Sequence, residues 1–233
     1  MARRETIGIF GGTFNPIHIG HLRAAEEIRE ILPLDRVIFV PSYNPPLKSE
    51  SLIPFDHRFI MVQEAIKGNP RFVVSDIEAR IPGKSYTILT IRALRKAYPG
   101  ARFFLIMGTD AFLDLPRWYR PEEILDAAHT VVILRPPIDL TSLGKSPFLK
   151  NVAKKRFQEI LKKGKMVFSA PSGKGKMTFL MTTALEVSAT EIRRRLRSGK
   201  SVKYLLPQKV ESYIISHRLY SRRTERSQNP QQS

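Results

Sequence analysis

Short apolar runs alternate along this chain with segments in which apolar residues recur every three or four positions. The runs are Thr6–Phe10, Arg36–Val40, Arg71–Val74, Phe103–Met107 and Thr130–Leu134, each ended by glycine, proline or polar residues. A short run that is apolar at nearly every position, bounded by turn residues, reads as a strand buried on both faces. Between the runs lie helical segments. From Gly20 to Leu32, the residues Leu22, Ala25, Ile28 and Leu32 fall on one helix face, and Pro33 ends the pattern. Phe55–Lys67 is a second helix, stopped at Gly68. Ser85 is the expected cap of a third, which runs to Tyr98 before Pro99-Gly100. Pro121 opens a fourth, with Glu122 and Glu123 in its first turn, where the helix dipole favours negative charge. Strands alternating with helices predict an α/β, Rossmann-like fold: an open parallel sheet with helices on both faces.

Beyond residue 140 the pattern is weaker. Pro147–Lys163 reads as a basic helix, and Met166–Phe168 and Leu185–Val187 as short strands. Ser188-Ala189-Thr190-Glu191 has the form of a capping box opening the helix Thr190–Arg197. Pro207 opens a last helix through about His217. The sequence contains no internal repeat or clear linker. Residues 1–220 are therefore expected to form one domain, with a helical C-terminal extension over about 188–220. The polar stretch 221–233 is expected to be a disordered tail. The net charge is +18, and beyond residue 140 there are 21 lysines and arginines against 5 acidic residues. Such an imbalance attracts polyanions, either nucleotide phosphates or a nucleic acid. It equally fits a solvated helix face, the form of Lys154-Lys155-Arg156 and Lys162-Lys163. The absence of cysteine excludes disulfides and thiolate chemistry. The run Ile7–Phe10 is too short for a signal-peptide core or a membrane span, so the expectation is a cytoplasmic protein without a membrane partner.

The densest chemistry lies between the first strand and the first helix, in Gly11-Gly12-Thr13-Phe14-Asn15-Pro16-Ile17-His18-Ile19-Gly20-His21. Ligands of open parallel sheets bind at such strand-to-helix loops. Glycine allows close backbone approach, and a helix start offers free N–H groups and a positive dipole end to an anion. His18 and His21 share this mouth, and imidazoles there can donate hydrogen bonds to phosphate oxygens. Three other loop types fit poorly. Gly-Lys-Ser occurs at 83–85, 144–146 and 199–201, but the earlier glycine of a P-loop is replaced by Glu78, Asp139 and Arg194. A dinucleotide fingerprint has a different glycine spacing and needs an acidic residue after the second strand, where Val40-Pro41-Ser42 stands. A metal pair would need a carboxylate that the loop lacks.

His18-Ile19-Gly20-His21 resembles the His-x-Gly-His signature of a nucleotidyltransferase superfamily. About 170 residues later, Val187-Ser188-Ala189-Thr190-Glu191-Ile192-Arg193 resembles that superfamily's second element, Ile-Ser-Ser-Thr-x-Ile-Arg. Within the superfamily the chain is similar, over roughly residues 5–217, to the bacterial nicotinate-nucleotide adenylyltransferases. The closer match rests on the first loop, on Pro41–Lys48, on Ser85-Tyr86-Thr87, on Gly108-Thr109-Asp110 leading to Pro116-Arg117-Trp118-Tyr119, and on Arg135-Pro136. In two places the pattern is broken. Leu47 stands where the family carries histidine, and Ala189 where it carries a second serine, so one hydroxyl for the phosphates is missing.

The resemblance implies transfer of AMP from ATP to nicotinate mononucleotide, in NAD biosynthesis, with release of pyrophosphate and with Mg²⁺ carried by ATP. It places His18, His21 and Arg193 at the reacting phosphate. Around ATP it places Gly11, Gly12, Thr13, Gly108, Asp110, Ser188 and Thr190. Asn15, Lys48, Thr87, Asp110, Trp118, Tyr119 and Arg135 fall around the acceptor, with Trp118 stacked on its pyridine ring. Plainer readings stand beside several of these: Ser188 and Asp110 as helix caps, Trp118 as a half-buried core aromatic, Arg193 as helix surface. The alternatives in function are another acceptor, nicotinamide mononucleotide or pantetheine phosphate, and a basic nucleic-acid-binding protein on the same scaffold. The sequence leaves homo-oligomerisation open.

Overall fold

The computed structural model describes residues 3–46, 52–134, 143–150, 152 and 154–221. Among the described residues, seven strands form one sheet: β1 (Thr6–Gly12), β2 (Arg36–Pro41), β3 (Phe72–Val74), β4 (Arg102–Gly108), β5 (His129–Leu134), β6 (Lys165–Ser169) and β7 (Lys176–Met181). Their order across the sheet is β3-β2-β1-β4-β5-β7-β6. Every pairing is parallel except that of β6 with β7 at the edge. The chain runs outward from β1 through β2 to β3, then crosses back to β4 on the other side. The strand order therefore reverses between β1 and β4, where the carboxyl ends of the strands open a crevice.

Alternation along the central strands sends side chains into two separate cores. Ile7 and Ile9 of β1, with Phe103, Leu105 and Met107 of β4, face one side. There they pack against α3 (Thr87–Ala97), α4 (Thr109–Asp114), α5 (Pro121–Ala127) and α6 (Lys154–Lys163). Phe10, Phe104 and Ile106 face the other side, against α1 (Ile19–Ile31), α2 (Phe55–Ile66), α7 (Ala189–Arg197) and α8 (Gln208–Ser216). Burial on both faces explains why the central strands carry no polar alternation. Each buried aliphatic or aromatic side chain contributes roughly 1.5–3 kcal/mol of transfer free energy.

Four local features differ from the sequence reading. Ser85 does not cap the third helix; Tyr86 precedes Thr87 as the first residue outside it. The Ser85 hydroxyl instead accepts from the Asn44 amide at 2.9 Å. Leu185–Val187 forms no strand. The strand of this region is β7, whose buried Thr178 and the glycines just before it, Gly173 and Gly175, disguise it in the sequence. The Pro147–Lys163 segment is a 3₁₀ turn at Pro147–Leu149 followed separately by α6. Finally, β6 makes the sheet mostly, not wholly, parallel. It alternates exposed and buried residues, as expected of an edge strand covered on one face. The tail 222–233 lies outside the described residues.

Candidate active site

The first loop runs from the end of β1 across the top of the sheet into α1. Phe14 there has φ of 45°, the Asn15–Pro16 peptide is cis, and residues 14–18 are buried. His18 stands at the N-cap of α1 with 2% of its surface exposed. Three residues on, His21 accepts a hydrogen bond at Nδ1 from the His18 backbone N–H at 3.3 Å. The two imidazoles stack with ring centroids 3.7 Å apart and planes 28° from parallel. The His21 ring meets Phe14 at 5.2 Å and Phe10 at 5.9 Å, both edge-on. An aromatic bed thus fixes the orientation of both imidazoles. Gly20 is required by the same packing: a Cβ there would lie 3.1 Å from His18 Nδ1 and 3.3 Å from Cε1. The glycine between the histidines makes room for the first of them.

Behind this loop sits a buried polar knot. Arg58 of α2 is 1% exposed. Its Nη1 donates to the Thr13 carbonyl at 2.8 Å and its Nε to the Ile53 carbonyl at 3.0 Å. Arg193 of α7 donates through Nη1 to the Asn15 carbonyl at 2.8 Å and through Nη2 to the Thr190 hydroxyl at 3.3 Å. The Tyr220 hydroxyl donates to Asn15 Oδ1 at 2.8 Å. Burial lowers the pKa of both guanidiniums and raises that of the phenol, since each charged form is deprived of water. Both arginines remain cations, because guanidinium is protonated throughout the accessible pH range.

The segment before α7 runs beside α1. The Leu185 carbonyl lies 3.9 Å from where a Gly20 Cβ would stand. The Thr183 N–H donates to Glu27 of α1 at 2.8 Å. Glu27 is 8% exposed, and its pKa is lowered: the Thr183 and Arg23 contacts outweigh the desolvation that opposes them. Ser188 caps α7, accepting from the Glu191 N–H at 3.1 Å. The expected reciprocal half of the box is not formed by Glu191, whose carboxylate holds Arg194 at 2.7 Å. Ser188 and Thr190 are exposed at the helix start. The fold therefore brings the two distant motifs together, with Arg193 as the direct link between them.

On the other side of the crevice, Gly108 ends β4 and caps α4, and Asp110 is exposed in that helix's first turn. Asp110 is thus a first-turn residue and not the cap. Thr87 opens α3, next to Tyr86. The rings of Tyr86 and Tyr119 meet at 4.7 Å, and Tyr119 is 43% exposed. Trp118 is half-buried against the core and donates through Nε1 to Asp114 at 3.2 Å. The loop after β2 is tied to this wall: the Ser85 N–H donates to the Asn44 carbonyl at 2.9 Å, returning the bond to the Ser85 hydroxyl. Glu78, 8% exposed, accepts from the Tyr43 N–H at 3.2 Å and from the Thr90 hydroxyl at 2.7 Å. Lys48 and Arg135, both expected at the acceptor, lie outside the described residues, as does Leu47.

Three of the residues that build this site escaped the sequence reading. Arg58 had a signal: it falls with Met61, Val62 and Ile66 on the buried stripe of α2, where an arginine must find buried acceptors. Glu78 and Tyr220 had none, because their partners are distant in sequence.

The comparisons agree with one another. A cytidylyltransferase-like family model matches residues 9–195. A Geobacter sulfurreducens protein called "Probable nicotinate-nucleotide adenylyltransferase" is 41% identical over 222 residues, covering 92% of this chain and 97% of the relative. A Thermomicrobium roseum protein of the same description is 36% identical, covering 92% and 91%. Among solved structures, the Plasmodium falciparum nicotinic acid mononucleotide adenylyltransferase complexed with NaAD superposes with a TM-score of 0.70 at 20% identity, covering 93% of this chain and 98% of that one. At that identity the likeness carries the fold. With full-length relatives above 30% identity and both signature segments meeting at one crevice, the chain belongs to the nicotinate-nucleotide adenylyltransferase family of cytidylyltransferase-like proteins.

Proposed function

We propose that this protein transfers AMP from ATP to nicotinate mononucleotide, giving nicotinate adenine dinucleotide and pyrophosphate. The observation that carries the reading is the stacked His18–His21 pair at the mouth of α1, joined through Asn15 to Arg193 of the second motif. The donors gathered here, imidazoles, backbone N–H groups and a guanidinium, suit phosphate oxygens and not a hard cation. Mg²⁺ accordingly rides on the ATP phosphates, the manner in which this ion is usually held.

The attacking group is the acceptor's 5′-phosphate, already an anion near neutral pH. No general base and no covalent enzyme intermediate are needed. The protein's work is to hold two mutually repelling anions in line and to steady charge on the α-phosphoryl group. His18 and His21 face that group. Ser188, Thr190 and the first N–H groups of α7 take the outer phosphates. Arg193 spans both motifs and adds positive charge where it develops. Gly11, Gly12 and Thr13 let the backbone approach the nucleotide, and Gly108 and Asp110 hold ribose hydroxyls at the end of β4. Trp118 stacks on the pyridine ring, while Thr87 and Tyr119 present N–H donors to its carboxylate. Asn15, Lys48 and Arg135 complete the acceptor side. The reaction belongs to NAD synthesis in the cytoplasm.

The test is pyrophosphate release from ATP with nicotinate or nicotinamide mononucleotide as acceptor. The carboxylate form should turn over at least about tenfold better, the discrimination expected when a site is built to hydrogen-bond one group. Preference for the amide would reassign the acceptor. Replacing His18 and His21 together by alanine should lower kcat by about 10²–10³ or more, the scale of losing preorganised donors. Full activity of that variant would sink the assignment. Trp118→Ala should raise KM for the acceptor while leaving KM for ATP within about twofold.

A further inference from the structure

We propose that Tyr220 is a positioning residue for adenylyl transfer: its buried hydroxyl fixes Asn15, and through it the phosphate loop and Arg193. The inference rests on the adenylyl-transfer reading above and adds to it a residue outside both signature motifs.

Tyr220 is 4% exposed and Asn15 3%. They are 205 positions apart in sequence, yet the phenol donates to Asn15 Oδ1 at 2.8 Å in a buried contact. The backbone carbonyl of the same Asn15 holds Arg193 at 2.8 Å. Two residues earlier, the Thr13 carbonyl is held by Arg58 at 2.8 Å. The loop between β1 and α1 is therefore gripped at Thr13 from α2, at the Asn15 carbonyl from α7, and at the Asn15 side chain from Tyr220. The chain departs from easy backbone conformations to deliver that last grip. After α8, Arg218 has φ of 52° and Tyr220 has φ of 60°. Both lie in the left-handed region that bulky residues rarely adopt and that persists only where surrounding contacts enforce it. The Leu219 N–H returns to the Ile214 carbonyl at 3.0 Å, which closes the turn.

A phenylalanine at 220 would fill the same volume. It would leave the Asn15 amide oxygen in a buried place without this donor, and the amide would reorient to recover one. The Asn15 carbonyl would tilt with it, and Arg193 would follow. The consequence falls first on alignment of the reacting phosphates, the acceptor's included, while the wall around the acceptor's ring, built from β4, α3 and the loop after β2, stays in place.

The experiment is steady-state pyrophosphate release and thermal unfolding of the full chain, of Tyr220→Phe, of Asn15→Ala, of the double variant, and of Tyr213→Phe as control. Tyr213 is another tyrosine at this end of the chain with a bonded hydroxyl, to His57 at 2.9 Å, and it lies outside the site. Tyr220→Phe should lower kcat about tenfold, with a smaller rise in KM for the acceptor, whose ring wall is untouched. The double variant should be no slower than Asn15→Ala alone, the sign that both act through one contact. Tyr213→Phe should keep its kcat. A wild-type kcat in Tyr220→Phe, or losses that multiply in the double variant, would overturn the proposal. Should Tyr220→Phe fail to fold, 3-fluorotyrosine at 220 keeps the hydroxyl in place and nearly the same volume, and its ring fluorine makes that hydroxyl a stronger donor. A kcat shifted by more than about twofold then supports the proposal, and an unchanged one refutes it. Absence of transfer by the wild-type chain would instead count against the function proposed above.

Discussion

A methyl group on Gly20 would press on the His18 ring at 3.1 Å, and the ring is walled in by His21 behind it. Gly20→Ala should therefore displace an imidazole. In a helix the same change normally adds about 1 kcal/mol of stability. The expected outcome is a split: kcat down by about tenfold or more, with the unfolding temperature held or raised. A fall in both would mean that the glycine serves the fold and not the ring. Arg193 makes a similar case for geometry. It reaches two acceptors with two nitrogens, which a lysine cannot copy. Arg193→Lys should keep the charge, lose about tenfold or more in kcat, and leave the protein folded, as circular dichroism and kinetics together would show. The residues of both signature segments were legible because each sits on a short local pattern, a glycine loop or a helix cap. Their supports were not. Glu78 reaches Tyr43, and Tyr220 reaches Asn15, across separations that no local rule encodes.

Helices and strands carry their own tests. Arg58 ties α2 to the first loop from inside the core, so Arg58→Met should strand the Thr13 and Ile53 carbonyls. A loss of about 2–3 kcal/mol is expected from buried acceptors left unpaired, read as a lower denaturation midpoint. Activity should fall with it, since the loop loses a fixed point. At the far end of the sheet, His129 of β5 is bonded to Thr178 of β7 at 2.6 Å. Burial, reinforced by Lys176, Lys165 and Arg102, pushes its pKa down to about 4 from 6.5. The unfolded chain then takes up a proton below pH 6.5 that the folded one refuses. Stability from this site is complete above 6.5 and declines as the pH falls toward 4. His129→Gln should flatten that part of the unfolding-temperature profile; an unchanged slope would show that other groups govern it. Strands β1, β2, β4 and β5 could be read from the sequence because double-sided burial writes an unbroken apolar run. β7 was missed because two of its six residues are Lys176 and Thr178, and the periodicity near 185–187 pointed to the wrong segment.

At the level of the whole molecule, charge is the dominant feature. The segment beyond residue 140 supplies most of the excess of +18. Part of it lies on the solvent side of the added edge of the sheet. The exposed Arg156 sets its guanidinium over the Phe168 ring at 4.9 Å, a cation–π contact. Part of it lies on α7, whose Arg193 meets the phosphates in the proposed reaction. A positive field of this kind concentrates a polyanionic nucleotide, and salt screens it. KM for ATP should therefore rise from low to physiological ionic strength, with kcat nearly constant. A flat KM would mean that the excess charge serves something other than substrate capture. The path of the chain carries one more consequence. β1 lies at the centre of the sheet and is the first strand to be synthesised, yet the loop that follows it is clasped by a side chain more than two hundred positions later. All the strands of the described sheet precede that clasp in sequence, the last ending at Met181. Full competence should arrive only once translation has passed position 220, so messages cut short before it should yield protein that transfers AMP more slowly than the complete chain.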